Sequence, residues 1–187
     1  MLRWNLYVPS PPEIVRTMLE LAELKPGELL YDLGSGDGRG LIMAVQDFGA
    51  NAVGVELNEN LVKGSRETVK GLDLTDRIQI IHGDLFNVSV SKADVVVLYL
   101  FPDMIKQLKL KFEKELKDGA RVVSHDYSIP GWNPTKIETF NKNRLFNKHA
   151  IFLYKIPFSL VSVITNQKKR RRLIEFYQFL HELVHGR

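Results

Sequence analysis

The segment Tyr31-Asp32-Leu33-Gly34-Ser35-Gly36-Asp37-Gly38, followed about twenty residues later by Val53-Gly54-Val55-Glu56, constrains the fold more than any other part of the chain. The apolar run Glu28–Leu33 reads as a buried strand, and the alternating glycines after it read as a sharp turn into a helix. Glycine suits such a turn because it accepts positive φ and lets a ligand approach the bare backbone. Val53–Glu56 is a second short apolar strand ending in a carboxylate. In a parallel sheet that carboxylate lies beside the glycine turn, at the carboxyl edge where open α/β sheets bind ligands. Glu56 can there accept hydrogen bonds from both hydroxyls of a ribose, so the pair predicts a nucleoside-containing cofactor.

The charge of the loop narrows the choice. A dinucleotide loop has the spacing G-x-G-x-x-G and presents backbone donors to a pyrophosphate. Here the glycines fall at 34, 36 and 38, with Asp32 and Asp37 in the turn. Two carboxylates repel a pyrophosphate but suit an ammonium. S-adenosylmethionine carries an ammonium, a sulfonium and a ribose, and it is the cofactor these residues imply.

The rest of the chain alternates strand and helix patterns. Ser10-Pro11-Pro12-Glu13 predicts a helix start with Ser10 as N-cap and Glu13 completing a capping box. Further helices are expected over about 39–48, 59–70 and 103–116, and strands over 52–56, 78–82, 93–99 and 120–125. Ala93–Tyr99 is a β-branched run of the kind found in a central parallel strand buried on both faces. The last two strands, Lys136–Phe140 and His149–Ile156, are joined by too few residues for a crossover and are expected to be antiparallel. Five βα units and a hairpin predict an α/β fold, a seven-stranded and mostly parallel sheet with a C-terminal antiparallel hairpin.

Composition sets outer bounds. The 187 residues suffice for one domain with a full core, and with no cysteine a disulfide framework or thiolate metal site is excluded. No apolar run approaches the roughly 20 residues of a membrane-spanning helix, and no secretory signal pattern opens the chain; a cytoplasmic protein is the expectation.

Several motifs in order resemble a known family: Tyr7-Val8-Pro9-Ser10-Pro11, Asp32 to Arg39, Val53 to Glu56, Val122-Val123-Ser124-His125 and Gly131-Trp132. Over roughly residues 5–156 the chain resembles the small seven-β-strand protein-lysine methyltransferases. These include a broad-specificity archaeal enzyme and mitochondrial enzymes that modify inner-membrane proteins. The resemblance implies a Rossmann-like methyltransferase sandwich over 1–156 with an N-terminal gate helix. It also implies S-adenosylmethionine as cofactor and protein lysine as acceptor. The chain departs from the family at Gly40, where relatives usually have an aliphatic residue, and in residues 157–187, which the compact archaeal enzyme lacks.

On this reading Asp32 and the backbone of Gly34, Ser35, Gly36, Asp37 and Gly38 hold the methionine end, and Glu56 holds the ribose. Asp84 accepts from the adenine amino group, and Leu57 and Leu85 sandwich the ring. The alternatives are a helix cap for Asp84 and a surface salt bridge for Glu56. A lysine acceptor must lose its proton, and a desolvating aromatic channel favours that. Tyr7, Tyr99, Phe101 and Trp132 are the candidates for its walls, with core packing as the alternative for Phe101 and Trp132. His125 and Asp126 are candidates for orienting the amine or taking its proton, a structural histidine being the alternative for His125. Enzymes acting on planar amines or amides usually carry Asn/Asp-Pro-Pro-Tyr/Phe after the fourth strand. Tyr99-Leu100-Phe101-Pro102 argues against that class but leaves RNA ribose and small-molecule acceptors open.

The positive charge sits at the C-terminus. Residues 165–187 hold six Lys/Arg and two acids, a net +4 equal to that of the whole chain, so residues 1–164 are formally neutral. Lys168, Lys169, Arg170, Arg171 and Arg172 precede an apolar stripe from Leu173 to Val184, together a basic amphipathic extension. It suits docking onto the domain or a second copy, or contact with nucleic acid or an anionic surface. An RNA methyltransferase or RNA-binding module using this tail is therefore the alternative function, and a binding-only pseudoenzyme comes third. His181-Glu182-Leu183-Val184-His185 matches H-E-x-x-H, but the sequence ends two residues later without the third ligand a catalytic zinc requires, and no metal is assigned.

Overall fold

The computed structural model describes residues 8–141 and 148–157. Tyr7 and the extension, with its basic cluster, apolar stripe and H-E-x-x-H motif, lie outside the described residues. The elements run α1 (Pro12–Leu21), β1 (Leu29–Leu33), α2 (Arg39–Phe48), β2 (Asn51–Glu56), α3 (Glu59–Gly71), β3 (Ile78–His82), β4 (Val95–Leu98), α4 (Pro102–Glu115), β5 (Arg121–His125), β6 (Lys136–Asn141) and β7 (Lys148–Lys155). They form one seven-stranded sheet in the order β3-β2-β1-β4-β5-β7-β6. β1 to β5 are parallel, and β7 pairs antiparallel with both β5 and β6. The order reverses between β1 and β4, which creates a crevice at the carboxyl ends of those strands.

Both faces of the sheet are covered. Along β4, Val95 and Val97 join a core with α1 and α2, while Val96 and Leu98 join a second core with α4. This two-sided burial explains the unbroken apolar sequence of β4.

Two expectations are corrected. The five βα units include only three helices among the described residues after β1, because 83–94 and the segment after β5 run as turns. Between β3 and β4 side-chain acceptors hold the turns: Asp84 Oδ1 accepts from Phe86 N–H, and Glu115 from α4, distant in sequence, accepts from Val90 N–H. Nor does the capping box form. Pro11 is the N-cap of α1 with no side-chain cap, and Ser10 Oγ instead lies 2.8 Å from His125 Nδ1. The hydroxyl satisfies a buried imidazole rather than its own helix.

α1 is fixed to the sheet at its other end by Arg121, which is buried at the start of β5. Its guanidinium pairs with Glu28 at 2.6 Å and donates to the carbonyls of Ala22 and Glu23. α1 and Ser10 are thereby set over the crevice.

The glycine turn lies against β2 because Gly54 has no side chain. A Cβ there would sit 2.5 Å from Leu41 Cδ1 and 2.6 Å from Ser35 Oγ. Gly54→Ala should destabilise the fold by about 1–3 kcal/mol, with about 2–4 °C lost in Tm per kcal/mol. Thermal denaturation checks this; an unchanged Tm would mean that the turn moves off β2 at no cost.

Candidate active site

A cavity of about 660 Å³ opens at the carboxyl ends of β1, β2 and β4. Its floor is the glycine turn. Gly34 and Ser35 both donate N–H to Val55 O, at 2.8 and 3.1 Å, and Gly36 N–H donates to Glu56 Oε2 at 2.9 Å. Gly34, Gly36 and Gly38 all adopt positive φ, and Gly38 leads directly into α2. Gly34 and Ser35 line the cavity, while Gly36 and Gly38 shape the turn.

Glu56 is held by its own backbone neighbours. Its Oε1 accepts from Leu57 and Asn58 N–H at 2.9 and 2.8 Å. The carboxylate is thus preset at the rim, and among the described residues it makes no surface salt bridge. Leu57 is exposed and Leu85 is buried, and both line the cavity. Asp84 also lines it and caps its own turn rather than a helix.

Asp32, Asp37 and Glu56 put three carboxylates on one wall. Burial first, then the charges of Glu56 and Asp37, push the Asp32 carboxyl up to about 7. Asp37 is gripped by Arg39, whose Nε and Nη2 both donate to it, with Nη2–Oδ2 at 2.6 Å. Arg39 also reaches Ser10 O at 3.4 Å and so ties the turn to the N-terminal segment. Asp37 was expected to face a ligand ammonium; here it neutralises Arg39, and Asp32 is the acid with raised pKa. Gly40 helps to seat Asp32, since a Cβ there would lie 2.8 Å from Asp32 Oδ2.

At the end of β4, Tyr99 and Phe101 line the cavity, together with Tyr127. Tyr99 packs on His125 with ring centroids 4.1 Å apart, and its phenol lies close enough to Asp126 to feel its charge. Burial and then the charge of Asp126 raise the Tyr99 phenol well above its ordinary value. His125 is fully buried, and desolvation pushes its imidazole down to about 4, against the opposing pull of Asp126. His125 and Asp126 lie behind Tyr99 and Ser10 rather than among the lining residues. Trp132 does not reach the cavity. It is buried against Phe112 and Tyr154, and its Nε1–H donates to Glu113 of α4 at 3.0 Å. The indole ring packs in the core and its N–H reaches out to Glu113 on the surface of α4, which removes it from the channel wall.

Sequence reasoning missed Tyr127 and His149. Tyr127 lies two residues past β5, where strand ends at the switch edge carry function. His149 Nδ1 lies 2.9 Å from His125 Nε2 and 3.1 Å from Asp126 Oδ2, a proximity made only by the antiparallel β5–β7 pairing.

Comparison with known proteins agrees with this geometry. The ANTKMT methyltransferase domain matches residues 32–136, from the first buried acid to the start of β6. The chain belongs to this methyltransferase family. A protein-lysine N-methyltransferase of Saccharolobus islandicus is 43% identical over 154 residues, covering 80% of this chain and 92% of that protein. The adenine nucleotide translocase lysine N-methyltransferase of Mus musculus is 34% identical over 70% of this chain, but the match spans only 57% of its own length. A crystal structure of an RNA methyltransferase from Salinibacter ruber with S-adenosyl-L-homocysteine is 36% identical with a TM-score of 0.74, covering 86% of this chain and all of that one.

In this methyltransferase the acid wall has a measurable cost. Asp32 in the folded chain keeps its proton to about 7 and in the unfolded chain releases it near the ordinary 3.8. The folded state therefore binds more protons between those values, and its stability falls as pH rises from about 4 to about 7. With no ligand bound, Asp32→Asn should raise Tm by a few degrees at pH 8 and leave it nearly unchanged at pH 4. Equal melting temperatures at pH 8 would show that the Asp32 charge is already compensated.

Proposed function

We propose that this methyltransferase uses S-adenosylmethionine to methylate lysine side chains of proteins. The observation that carries the reading is the 43% identity to an archaeal protein-lysine N-methyltransferase over 92% of its length. The cavity supports it on independent physical grounds.

The residues fit the cofactor. An acid held near neutral pKa by burial and neighbouring carboxylates is a site that gains when a cation enters, and the cofactor carries an ammonium and a sulfonium. Asp32 and the 34–35 backbone would hold the methionine end. Glu56, already fixed by three backbone N–H groups, would hold the ribose, with Asp84, Leu57 and Leu85 about the adenine. Bound there, the cofactor supplies an electrophilic methyl group on a positive sulfur. The chain's own task is to align an amine and remove its proton.

Tyr99 is placed for that task. Its phenol lies beside Asp126, and a hydroxyl directed there would leave its oxygen lone pairs to accept from an amine N–H. Because the phenol is raised, Tyr99 stays neutral between pH 7 and 9 and keeps this role throughout that range. Tyr127 and Phe101 exclude water around the amine, which favours its neutral form. Asp126 is the nearby base that can relay the proton outward.

Three measurements test the reading. Turnover at low lysine should rise about tenfold per pH unit between 7 and 9, as the neutral fraction of an amine with pKa near ~10.4 grows. Tyr99→Phe should lower kcat by about tenfold or more with little change in cofactor affinity, whereas Asp32→Asn should weaken that affinity by about 1–3 kcal/mol. Labelled cofactor and cell extract, followed by mass spectrometry, should place the methyl group on lysine. Label on RNA would overturn the acceptor assignment in favour of the activity named for the Salinibacter ruber protein.

A further inference from the structure

Behind Tyr99, three electron-pair donors converge. His125 Nε2 and His149 Nδ1 are 2.9 Å apart, His149 Nδ1 and Asp126 Oδ2 3.1 Å, and His125 Nε2 and Asp126 Oδ2 3.4 Å. Two N–H protons cannot face one another across the first of these gaps, so one nitrogen presents its lone pair to the other. At most one proton therefore lies between the two nitrogens, and the carboxylate oxygen beside them offers a further lone pair. We propose that His125 Nε2, His149 Nδ1 and Asp126 Oδ2 form a binding site for one divalent first-row transition cation, which takes the place of that proton and releases it to solvent.

The triangle has the right size. Ligands about 2.1 Å from a cation are about 3.0 Å apart in octahedral and about 3.4 Å apart in tetrahedral coordination. The three observed separations span that range. The site is also braced in the way metal ligands are. The second ring nitrogen of His125 lies against Ser10 Oγ, a hydroxyl that can accept its N–H and leave Nε2 for a cation. Asp126 Oδ1 accepts Ala150 N–H at 3.0 Å, which leaves Oδ2 facing the imidazoles. The Asp126 backbone has φ 62, a left-handed conformation unusual outside glycine, and its N–H is bound to Ala150 O. Two imidazoles and one carboxylate select zinc, cobalt, nickel or iron over magnesium and calcium, which require oxygen donors. His125 is buried while the side chains of Asp126 and His149 keep 22% exposure, so an ion has a route in and water can complete its shell. The bound cation would fix the ends of β5 and β7 and the Ser10 segment beside the acceptor end of the cavity.

The test uses the full chain carrying His181→Ala and His185→Ala, which removes the other histidine pair with metal-ligand spacing. Zinc is titrated by calorimetry and cobalt by its visible absorption. The expected result is one equivalent of either ion, a Tm raised by several degrees at saturation, and no comparable effect of magnesium. His149→Ala and Asp126→Asn, each first shown to be folded without metal, should weaken binding tenfold or more. Histidine-ring NMR signals shifted by cobalt assign the ligands without any further substitution. Absence of binding, binding unchanged in either folded variant, or cobalt-shifted signals from other histidines would overturn the proposal.

Discussion

The close approach of the glycine turn to β2 is the constraint on which the rest of the site depends. Gly34 and Ser35 both donate to the Val55 carbonyl, and Gly36 donates to the Glu56 carboxylate. These bonds form only because Gly54 leaves room for Ser35 and Leu41. The turn then delivers Asp32 and Glu56 to one wall, with the first residues of α2 close behind. The spacing of the carboxylates on that wall follows from backbone atoms brought within hydrogen-bond reach by the absence of one side chain.

That arrangement works against the stability of the ligand-free protein. Burial and like charges at the end of β1 raise the pKa of Asp32 and disfavour its ionised form. A chain selected for stability alone would replace one of the acids. Arg39 relieves Asp37 and, among the described residues, no cation pairs with Asp32, so the unbalanced charge is concentrated at that carboxylate. On the proposed reading, a cationic ligand would recover in binding what these like charges cost.

The parallel half of the sheet was legible because its signals are local. The strand ends Asp32, Glu56 and Asp84 and the alternating glycines follow from short runs of sequence, and the helices 39–48 and 59–71 lie within a residue or so of their periodic patterns. Non-local competition accounts for the errors. Ser10 had two possible partners, its own helix and an imidazole 115 residues away, and the imidazole took it. Trp132 lies in a turn after β5, but its ring packs between Phe112 and Tyr154 while its N–H finds an acceptor in Glu113 of α4. The missing crossover helix between β3 and β4 was replaced by turns that depend on Glu115, far along the chain.

His149 shows where a reading of local pattern must stop. The hairpin of β6 and β7 was expected, but its register against β5 was not, and a one-residue slip would have turned His149 to the other face. In the observed register His125 pairs with Ile151, and a residue 24 positions away meets both His125 and Asp126. The two ends of the site therefore arise differently. Parallel strands carry the end lined by Asp32, Glu56 and Asp84, assembled from residues that announce themselves in order along the chain. The antiparallel return strand completes the cluster behind Tyr99, and there the neighbours depend on register. Reversing β7 brings polar side chains behind Tyr99 that a further parallel strand would have placed at the same edge only after another crossover.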